Sequence, residues 1–383
     1  MSMVRRELWS NRVESSWKDR SIVWLSGVRR VGKTTLAGQI DGIDYFNCDL
    51  PSVRRTLSDP EFFLESCSDS TIVLDEIHRI EDPSNLLKIA ADEYPKIQIL
   101  ATGSSTLEAT HKFKDSLTDR KRSINLPPVL WRETKSTFGV SDVNQRFLRG
   151  GLPGHLLSET ADAAFFEDWI DSFYARDIQE LFNVRNRTGF LSLFHLLGLQ
   201  SGGLLDITSL GKKTGISRPT VMSYLDAMEI AHALHRLPPF FGGGHREIIK
   251  QPKGYLFDTG FVSHIRGWES IRPDDAGFLW EHLVLDELRF DFSPRQIHYW
   301  RDKSGRELDF IIERGDSSID VYEAKYNPEA FESDHLKHFR SLYPNGDNYV
   351  ICPFIRKSYQ QRLHGLLVTY TSEPISRPPP ALQ

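Results

Sequence analysis

An α/β fold resting on a parallel sheet is what the first third of this sequence predicts, and two observations predict it. Apolar runs of four or five residues, at Ile22–Ser26, Asp44–Cys48, Thr71–Leu74 and Ile97–Ala101, recur between helical stretches. Short apolar runs between helices suit a sheet covered on both faces. The first run leads directly into a glycine-containing turn and a helix from about Lys33, a strand–loop–helix order. The last third of the chain widens the class. A helix at Gly277–Phe290 mixes there with strands near Ile297–Trp300, Arg306–Ile312, Ile319–Lys325 and Asn348–Cys352.

Between these units, residues from about 140 to 200 read as helical and rich in Leu and Phe. Asp206 to about Tyr255 reads as helix–turn–helix–hairpin. The predicted division is 1–135, 136–205, 206–257 and 258–373, followed by a proline-rich tail, 374–383, expected to be unstructured. A length of 383 residues fits two or three domains. Hydrophobic residues at 39% supply cores and exclude a disordered chain. Lys and Arg number 47 against 52 Asp and Glu, a net charge of -5 that excludes a globally basic coat while allowing a local basic surface. Cys48, Cys67 and Cys352 lie far apart with no CxxC, so neither a disulfide framework nor a thiolate zinc site is expected. The longest uncharged stretch, Thr188–Leu205, carries Ser, His, Gln and glycines and reads as a buried helix and turn, not a bilayer span. With no apolar leader at the N-terminus, a cytoplasmic protein without membrane contact is expected.

Gly27-Val28-Arg29-Arg30-Val31-Gly32-Lys33-Thr34 fits the phosphate-loop pattern G-x-x-x-x-G-K-[ST]. The glycines let backbone N–H groups face phosphates without a Cβ in the way. Lys33 reaches the β and γ oxygens, the Thr34 hydroxyl binds Mg2+, and the helix entered through Thr35 aims its N-terminal dipole at the same anions. The predicted ligands are therefore ATP and Mg2+, held by residues 27–35.

A buried strand ending in Asp75-Glu76 places Asp75 beside the magnesium and Glu76 where it can polarise water. A strand followed by an acidic helix start is the plainer alternative. At the end of the next strand, Thr102 and Ser104 are candidates to sense the γ-phosphate, and a Ser/Gly turn is the alternative. Arg120 and Arg122 are candidates to stabilise transition-state charge, in cis or across a subunit interface. A solvated basic loop is the other reading.

In the middle, Ile207–Lys213 forms the first helix of a helix–turn–helix, Thr214–Ile216 the turn, and Ser217 the N-cap of a helix through about Ile230 with Pro219 in its first turn. A hairpin wing follows. Lys212, Lys213, Arg218, Arg236, Arg246, Lys250 and Lys253 face Asp206, Asp226, Glu229 and Glu247, an excess suited to phosphate contact. Lys212, Lys213 and Arg218 are the predicted DNA contacts. A rigid spacer is the alternative.

In the last third, strands at Arg306–Ile312 and Ile319–Lys325 flank a turn. If the hairpin is centred on Asp316, facing residue numbers sum to 632, and Asp309 meets Glu323 on one face. Facing carboxylates repel unless a cation or a raised pKa resolves the conflict. Lys325 projects from the same face, and Asp309 and Glu323 are the predicted metal ligands. Glu281, on the inward face of the Gly277–Phe290 helix, is a fourth candidate. The alternative is a salt-bridge ladder, in which Lys325 also faces Glu307.

Taken in order, these motifs resemble a family of prokaryotic ATP-binding proteins with an AAA-type, archaeal-ATPase-like P-loop domain and a C-terminal restriction-endonuclease-like domain of unknown function. The resemblance also rests on Gly150-Gly151-Leu152-Pro153, Tyr174-Ala175-Arg176-Asp177-Ile178, Phe257-Asp258-Thr259-Gly260-Phe261, Tyr299-Trp300-Arg301-Asp302 and Glu323-Ala324-Lys325. It implies ATP binding through Lys33, Thr34, Asp75 and Glu76. It sets Arg120 where the family carries a Gly-Arg pair, with Asp119 here in place of the glycine. It maps a nuclease pattern onto Glu281, Asp309, Glu323 and Lys325. The expected protein is a Mg2+-dependent ATPase whose nucleotide state controls a half that binds double-stranded DNA and, in the stronger form, cleaves it. The rival is an ATP-gated regulator or adaptor that does not cut. Self-association is left open.

Overall fold

The computed structural model describes residues 4–67, 70–103, 107–108, 111–159, 162–182, 184–242, 250–315 and 318–374. After helix α1 (Glu7–Trp17), the N-terminal sheet comprises β1 (Ile22–Ser26), β2 (Ile43–Asn47), β3 (Thr71–Asp75), β4 (Gln98–Thr102) and β5 (Lys121–Asn125). All pairings are parallel, in the order β2-β3-β4-β1-β5. Helix α2 (Lys33–Ala37) leaves the loop after β1, and α3 (Pro83–Glu93) leads into β4. Alternate side chains divide between two cores. Val23, Leu25, Val73 and Leu100 pack on one face with Trp9 and Val13 of α1, and Trp24, Ile72, Leu74 and Ile99 pack on the other. Strand β5 stands where the sequence suggests a basic loop. It is an edge strand whose Arg122 and Ser123 are exposed, so it lacks the apolar run that marks its neighbours.

The middle of the chain starts with α4 (Trp131–Ser136), α5 (Val143–Arg149) and α6 (Ala163–Phe173). Helix α6 runs into a π-helical segment, Tyr174–Gln179, before α7 (Arg187–Leu199). A three-stranded sheet then closes around two helices: β6 (Gly203–Leu204), α8 (Ile207–Thr214), α9 (Arg218–Ile230), β7 (Leu234–Leu237) and β8 (Lys253–Leu256), with strand order β6-β8-β7. The helix starts follow the local chemistry. Asp206 accepts from the N–H groups of Thr208 and Ser209, and Ser217 Oγ accepts from Thr220 N at 3.3 Å. Gly215, at φ 71°, makes the turn between them.

Helix α10 (Thr259–Ile265) packs against α5, α6 and α7. Residues 258–265 thus sit with the helical middle, and the C-terminal sheet unit begins at Pro273, not Asp258. The reason is a buried joint. Asp258 accepts from Gly151 N (2.5 Å) and Gly260 N (2.8 Å). Arg146, fully buried, donates to Thr259 Oγ1 (2.9 Å) and to the Val129 carbonyl (3.0 Å). A Cβ on Gly150 would lie 2.0 Å from Asp258 Oδ1.

Helix α11 (Pro273–Asp291) covers one face of a six-stranded sheet formed by β9 (Ile297–Arg301), β10 (Glu307–Glu313), β11 (Ile319–Ala324), β12 (Asn348–Ile351), β13 (Tyr359–Leu363) and β14 (Leu366–Thr371). Helix α12 (Ser333–Leu342) covers the other face. The order is β13-β14-β12-β11-β10-β9. Strands β10 and β11 pair Phe310 with Tyr322 and Ile312 with Asp320, the register expected for a turn centred on residue 316. Against β9, the register of β10 shifts between Leu308 and Ile311, so the strand bulges at Asp309-Phe310. Arg132 ties this unit to the first: its N–H groups reach Glu287 and Asp291 on α11, the latter at 2.9 Å. Among the described residues no helix is long and apolar enough to cross a membrane.

Candidate functional site

A parallel sheet collects the loops that follow its strands at one edge, and three of them build the first site. The phosphate loop takes backbone conformations that glycine tolerates, with φ 146° at Gly27 and 98° at Gly32; Arg30 is also positive at 62°. Lys33 Nζ donates to the carbonyls of Gly27 (2.8 Å) and Val28 (3.3 Å). Burial lowers the Lys33 ammonium pKa, against the opposing pull of Glu76, Asp177 and Asp75. Thr34 and Thr35 are exposed at the start of α2. Strand β4 lies between β1 and β3, and its last residue, Thr102, joins the parts. Thr102 Oγ1 donates to Asp75 Oδ1 at 2.5 Å and accepts from Glu76 N at 3.0 Å. Thr102, expected to sense phosphate, here orients the acidic pair. Ser104 lies outside the described residues.

Asp75 is 2% exposed, and its second oxygen accepts from the Tyr45 hydroxyl at 2.5 Å. Glu76 sits at φ 56°, strain of about 1–3 kcal/mol for a non-glycine residue. His78 Nδ1 lies 3.2 Å from its carboxylate. The His78 hydrogen bond, with Lys33 adding, holds Glu76 below the usual carboxylate range despite burial. The donor set fits a magnesium ion: the Thr34 hydroxyl is open, while Asp75, engaged at both oxygens, is placed to act through water. Arg29 reaches Asp177 on the π-helical segment at 3.0 Å. Arg120 is placed elsewhere. It pairs with Asp92 (2.6 Å) immediately before β5, at the amino end of the parallel strands and opposite the phosphate loop. It therefore does not reach the nucleotide edge of its own chain. Arg122 pairs with Asp19 at 2.9 Å.

The second site lies where α11 crosses β10 and β11, in a cavity of about 620 Å3 lined by Glu281, Asp309 and Lys325 among others. Lys325 Nζ stands 2.7 Å from Asp309 Oδ2 and 2.6 Å from Glu323 Oε2. Asp309 also accepts from Ala324 N at 2.9 Å. Burial raises the Asp309 carboxyl, but Lys325 and Lys253 more than offset it, leaving it below its ordinary value. Burial and the Asp309 charge push Glu323 up to about 8. Glu281 is not drawn into this pair. Lys253 Nζ, from β8, lies 3.1 Å from Glu281 Oε1 and 2.5 Å from Glu307 Oε1, and Tyr255 OH donates to the same Glu281 oxygen. Glu307 faces Lys253 and Arg301, not Lys325.

Ammonium groups thus occupy these carboxylates. Among the described residues no group of three His, Cys, Asp or Glu side chains is gathered to hold a metal ion. The expected metal ligands Asp309 and Glu323 are adjacent, but as arranged they do not fit a divalent ion.

On the helix–turn–helix, Lys212, Lys213, Arg218 and Lys250 are exposed. Arg236 is engaged by Asp226 and Glu229, Lys253 is 4% exposed inside the acidic pocket, and Arg246 lies outside the described residues. The basic surface is narrower than the residue count implied. Sequence reasoning missed Tyr45, His78 and Tyr255, and it gave Lys253 and Arg29 roles other than pairing with Glu281, Glu307 and Asp177. Only Lys253 and Tyr255 left a signal, a polar period of two along a strand.

Residues 19–135 match the family model of an AAA domain. Residues 140–272 and 276–369 match two domains of unknown function, DUF8612 and DUF4143. The chain therefore carries an N-terminal AAA-type P-loop domain, a helical middle and a mixed α/β C-terminal domain. Proteins of Mycobacterium bovis and Mycobacterium tuberculosis, both described as uncharacterized, are 27% identical to it over 322 residues, 81% of this chain and 72% of theirs. Among solved structures, the Walker-type ATPase of Pyrococcus abyssi is similar over 70% of this chain and 98% of that one, with 16% identity and a TM-score of 0.43. The Orc1 protein of Aeropyrum pernix, solved in complex with DNA, is similar over 69% and 92%, with 12% identity and a TM-score of 0.30.

Proposed function

We propose that this chain is a Mg2+-dependent ATPase whose nucleotide state controls a C-terminal half that binds double-stranded DNA. The observation that carries the reading is the meeting of Lys33, Asp75, Glu76 and Thr102 at the carboxyl ends of β1, β3 and β4. Lys33 exchanges its loop carbonyls for phosphate oxygens. Thr34 and Asp75 would hold a magnesium ion, which would supply charge neutralisation of the phosphates. Glu76, kept ionised by His78 and Lys33, orients the attacking water, and Thr102 holds its backbone in place. Lys212, Lys213 and Arg218 contact the DNA backbone. The restriction-endonuclease-like pattern Glu281, Asp309, Glu323 and Lys325 belongs to this reading as the site that DNA reaches. One observation favours a second reading, a regulator that holds DNA without cutting: lysines, not gathered oxygen donors, neutralise that pocket.

ATP turnover and cleavage of duplex DNA with Mg2+ or Mn2+ test both readings, comparing wild type with K33A, E76Q and D309A. K33A should lose ATP binding, and E76Q should bind ATP without turning it over. Full turnover by E76Q removes the role given to Glu76. Cleavage that disappears in D309A establishes a nuclease, and its absence in wild type with ATP turnover intact leaves the regulator.

A further inference from the structure

Helix α6 and the π-helical segment that continues it lie along the phosphate loop and hold two consecutive residues of it. Trp169 Nε1 donates to the Arg29 carbonyl at 3.1 Å, and the Arg30 guanidinium lies 5.5 Å from the Phe165 ring centroid. Asp177 accepts from Arg29 Nη1 at 3.0 Å. Phe165, Trp169 and Phe173 follow one another at the four-residue spacing of a helix face. In an unbroken α-helix residue 176, seven beyond Trp169, continues that face. The wide turn of Tyr174–Gln179 takes up one residue more, so position 177 stands there instead. Arg176, which would set one guanidinium against another, is turned out and exposed. The Arg29 and Asp177 side chains are 24% and 30% exposed, so the pair is open on one side. Asp177 uses one of the five guanidinium donors, and Arg29 Nε is buried without a hydrogen-bond partner among the described residues. Lys33 Nζ touches the carbonyl of the peptide that joins Val28 to Arg29. Its ammonium feels the charges of Glu76, Asp177, Asp75 and Arg29, and Asp177 feels Arg29, Lys33 and Glu76. Arg29 is thus a cation of the nucleotide edge itself, beside the lysine that reaches phosphate and the glutamate that orients water.

We propose that Arg29 donates to the terminal phosphate of ATP and stabilises the charge on it during transfer, with Asp177 as the positioning residue that fixes its guanidinium. The proposal rests on the reading of the chain as an ATPase. It fills from within the loop the place that Arg120, held by Asp92 at the opposite edge, does not reach. A planar fork matches two phosphate oxygens at once, which an ammonium does not. Lys33 serves the β and γ oxygens together, whereas Arg29 serves the γ group alone and so separates ATP from ADP. In hydrolysis the water oxygen bonds to the γ phosphorus as the bond to the bridging oxygen breaks, its electron pair staying on ADP. The water proton leaves by way of Glu76, and Arg29 exchanges none.

The test is calorimetric binding of ADP, of a non-hydrolysable ATP analogue and of ADP with aluminium fluoride to the full chain in Mg2+, set beside ATP turnover. R29M should bind ADP as wild type does. It should lose about tenfold or more in affinity for the analogue and for the fluoride complex, the scale of one hydrogen bond between charged groups. Its kcat should fall by at least about tenfold and up to about a thousandfold. R29K, which keeps the charge and loses the fork, should recover affinity for the analogue more than it recovers kcat. D177N should lower kcat with little change in KM, and R29M/D177N should be no worse than R29M, because the two residues act as a unit. R176M should behave as wild type. D177N leaves Arg29 and its Trp169 bond in place, so it keeps the test open should R29M fold poorly. Equal loss of ADP and analogue by R29M, or a kcat within a few-fold of wild type, overturns the role of Arg29. Additive losses in the double variant, or an equal loss in R176M, overturn that of Asp177. A wild type that binds the analogue but does not hydrolyse ATP overturns the ATPase reading alone, and the ratio of analogue to ADP affinity in R29M then decides the phosphate contact. A wild type that binds no nucleotide overturns both.

Discussion

Replacing Arg132 by Met cuts the tie between the ATPase domain and α11, the helix that carries Glu281. The Arg132, Glu287 and Asp291 side chains are 20%, 3% and 10% exposed, and breaking a buried pair from one side costs ~3–5 kcal/mol. The cost depends on pH because burial already pushes the Glu287 carboxyl up to about 7 with Arg132 present. A carboxyl raised on folding favours the folded state in its protonated form. That contribution is complete below the unfolded value near 4.5 and is lost as pH rises through 7. R132M moves the folded value higher still, so wild type and variant diverge further as pH rises. At pH 5 the variant loses hydrogen bonds to a neutral carboxyl, about 1–2 kcal/mol. By pH 8 each further unit of displacement adds up to ~1.4 kcal/mol, for a total near ~3 kcal/mol. Urea unfolding followed by tryptophan fluorescence measures it, with a reporter at hand: Trp131 packs edge-on to Trp280 with ring centroids 5.9 Å apart. A loss below about 1 kcal/mol at pH 8, or the same loss at both pH values, refutes the reasoning.

Three further outcomes are expected. H78A should raise the Glu76 pKa, since the His78 hydrogen bond is the main cause of its depression, and the acid limb of the ATPase pH profile should move to higher pH; an unmoved limb removes the role given to His78. G150A should fail to give soluble, cooperatively unfolding protein, because φ is 72° and the new methyl meets Asp258 Oδ1 at 2.0 Å; a melting temperature within a degree or two of wild type would contradict the joint. K212A/K213A/R218A should weaken duplex binding for all sequences and flatten its salt dependence by about 0.9 for each phosphate no longer neutralised, measured by anisotropy at several salt concentrations.

Much of the fold was legible because its signals are local. The loop from Gly27 to Thr34, the cap at Ser217 and the apolar runs of β1, β3 and β4 each state their conformation within a few residues. The 632 register was legible because a short turn fixes which residues of a hairpin face each other. The rest depended on partners distant in the chain. Strand β5 is polar because it is an edge, and Arg120 looked available because nothing nearby in sequence reveals that Asp92 holds it. Lys253 resembled one more basic residue of a wing; only the fold shows it turned inward to Glu281 and Glu307, the reverse of a DNA-facing side chain. Asp309 and Glu323 both lie against one cation, and it is an ammonium from their own hairpin.

The joint at Asp258 bears on how the chain is made. Gly151 and its acceptor on Asp258 are 107 residues apart, and the whole helix–turn–helix module is synthesised between them. Until Asp258 and Thr259 leave the ribosome, Arg146 has only the Val129 carbonyl among its buried partners. The nucleotide-binding sheet can form early from neighbouring segments, but the helices behind it must wait for residues made much later. Closing so long a loop is slow compared with local pairing, so the expected order in a growing chain is a paired sheet first and a closed middle last. Premature termination anywhere between residues 151 and 258 would leave the molecule at the first of these stages, with Arg146 hydrated and the core behind the sheet unclosed.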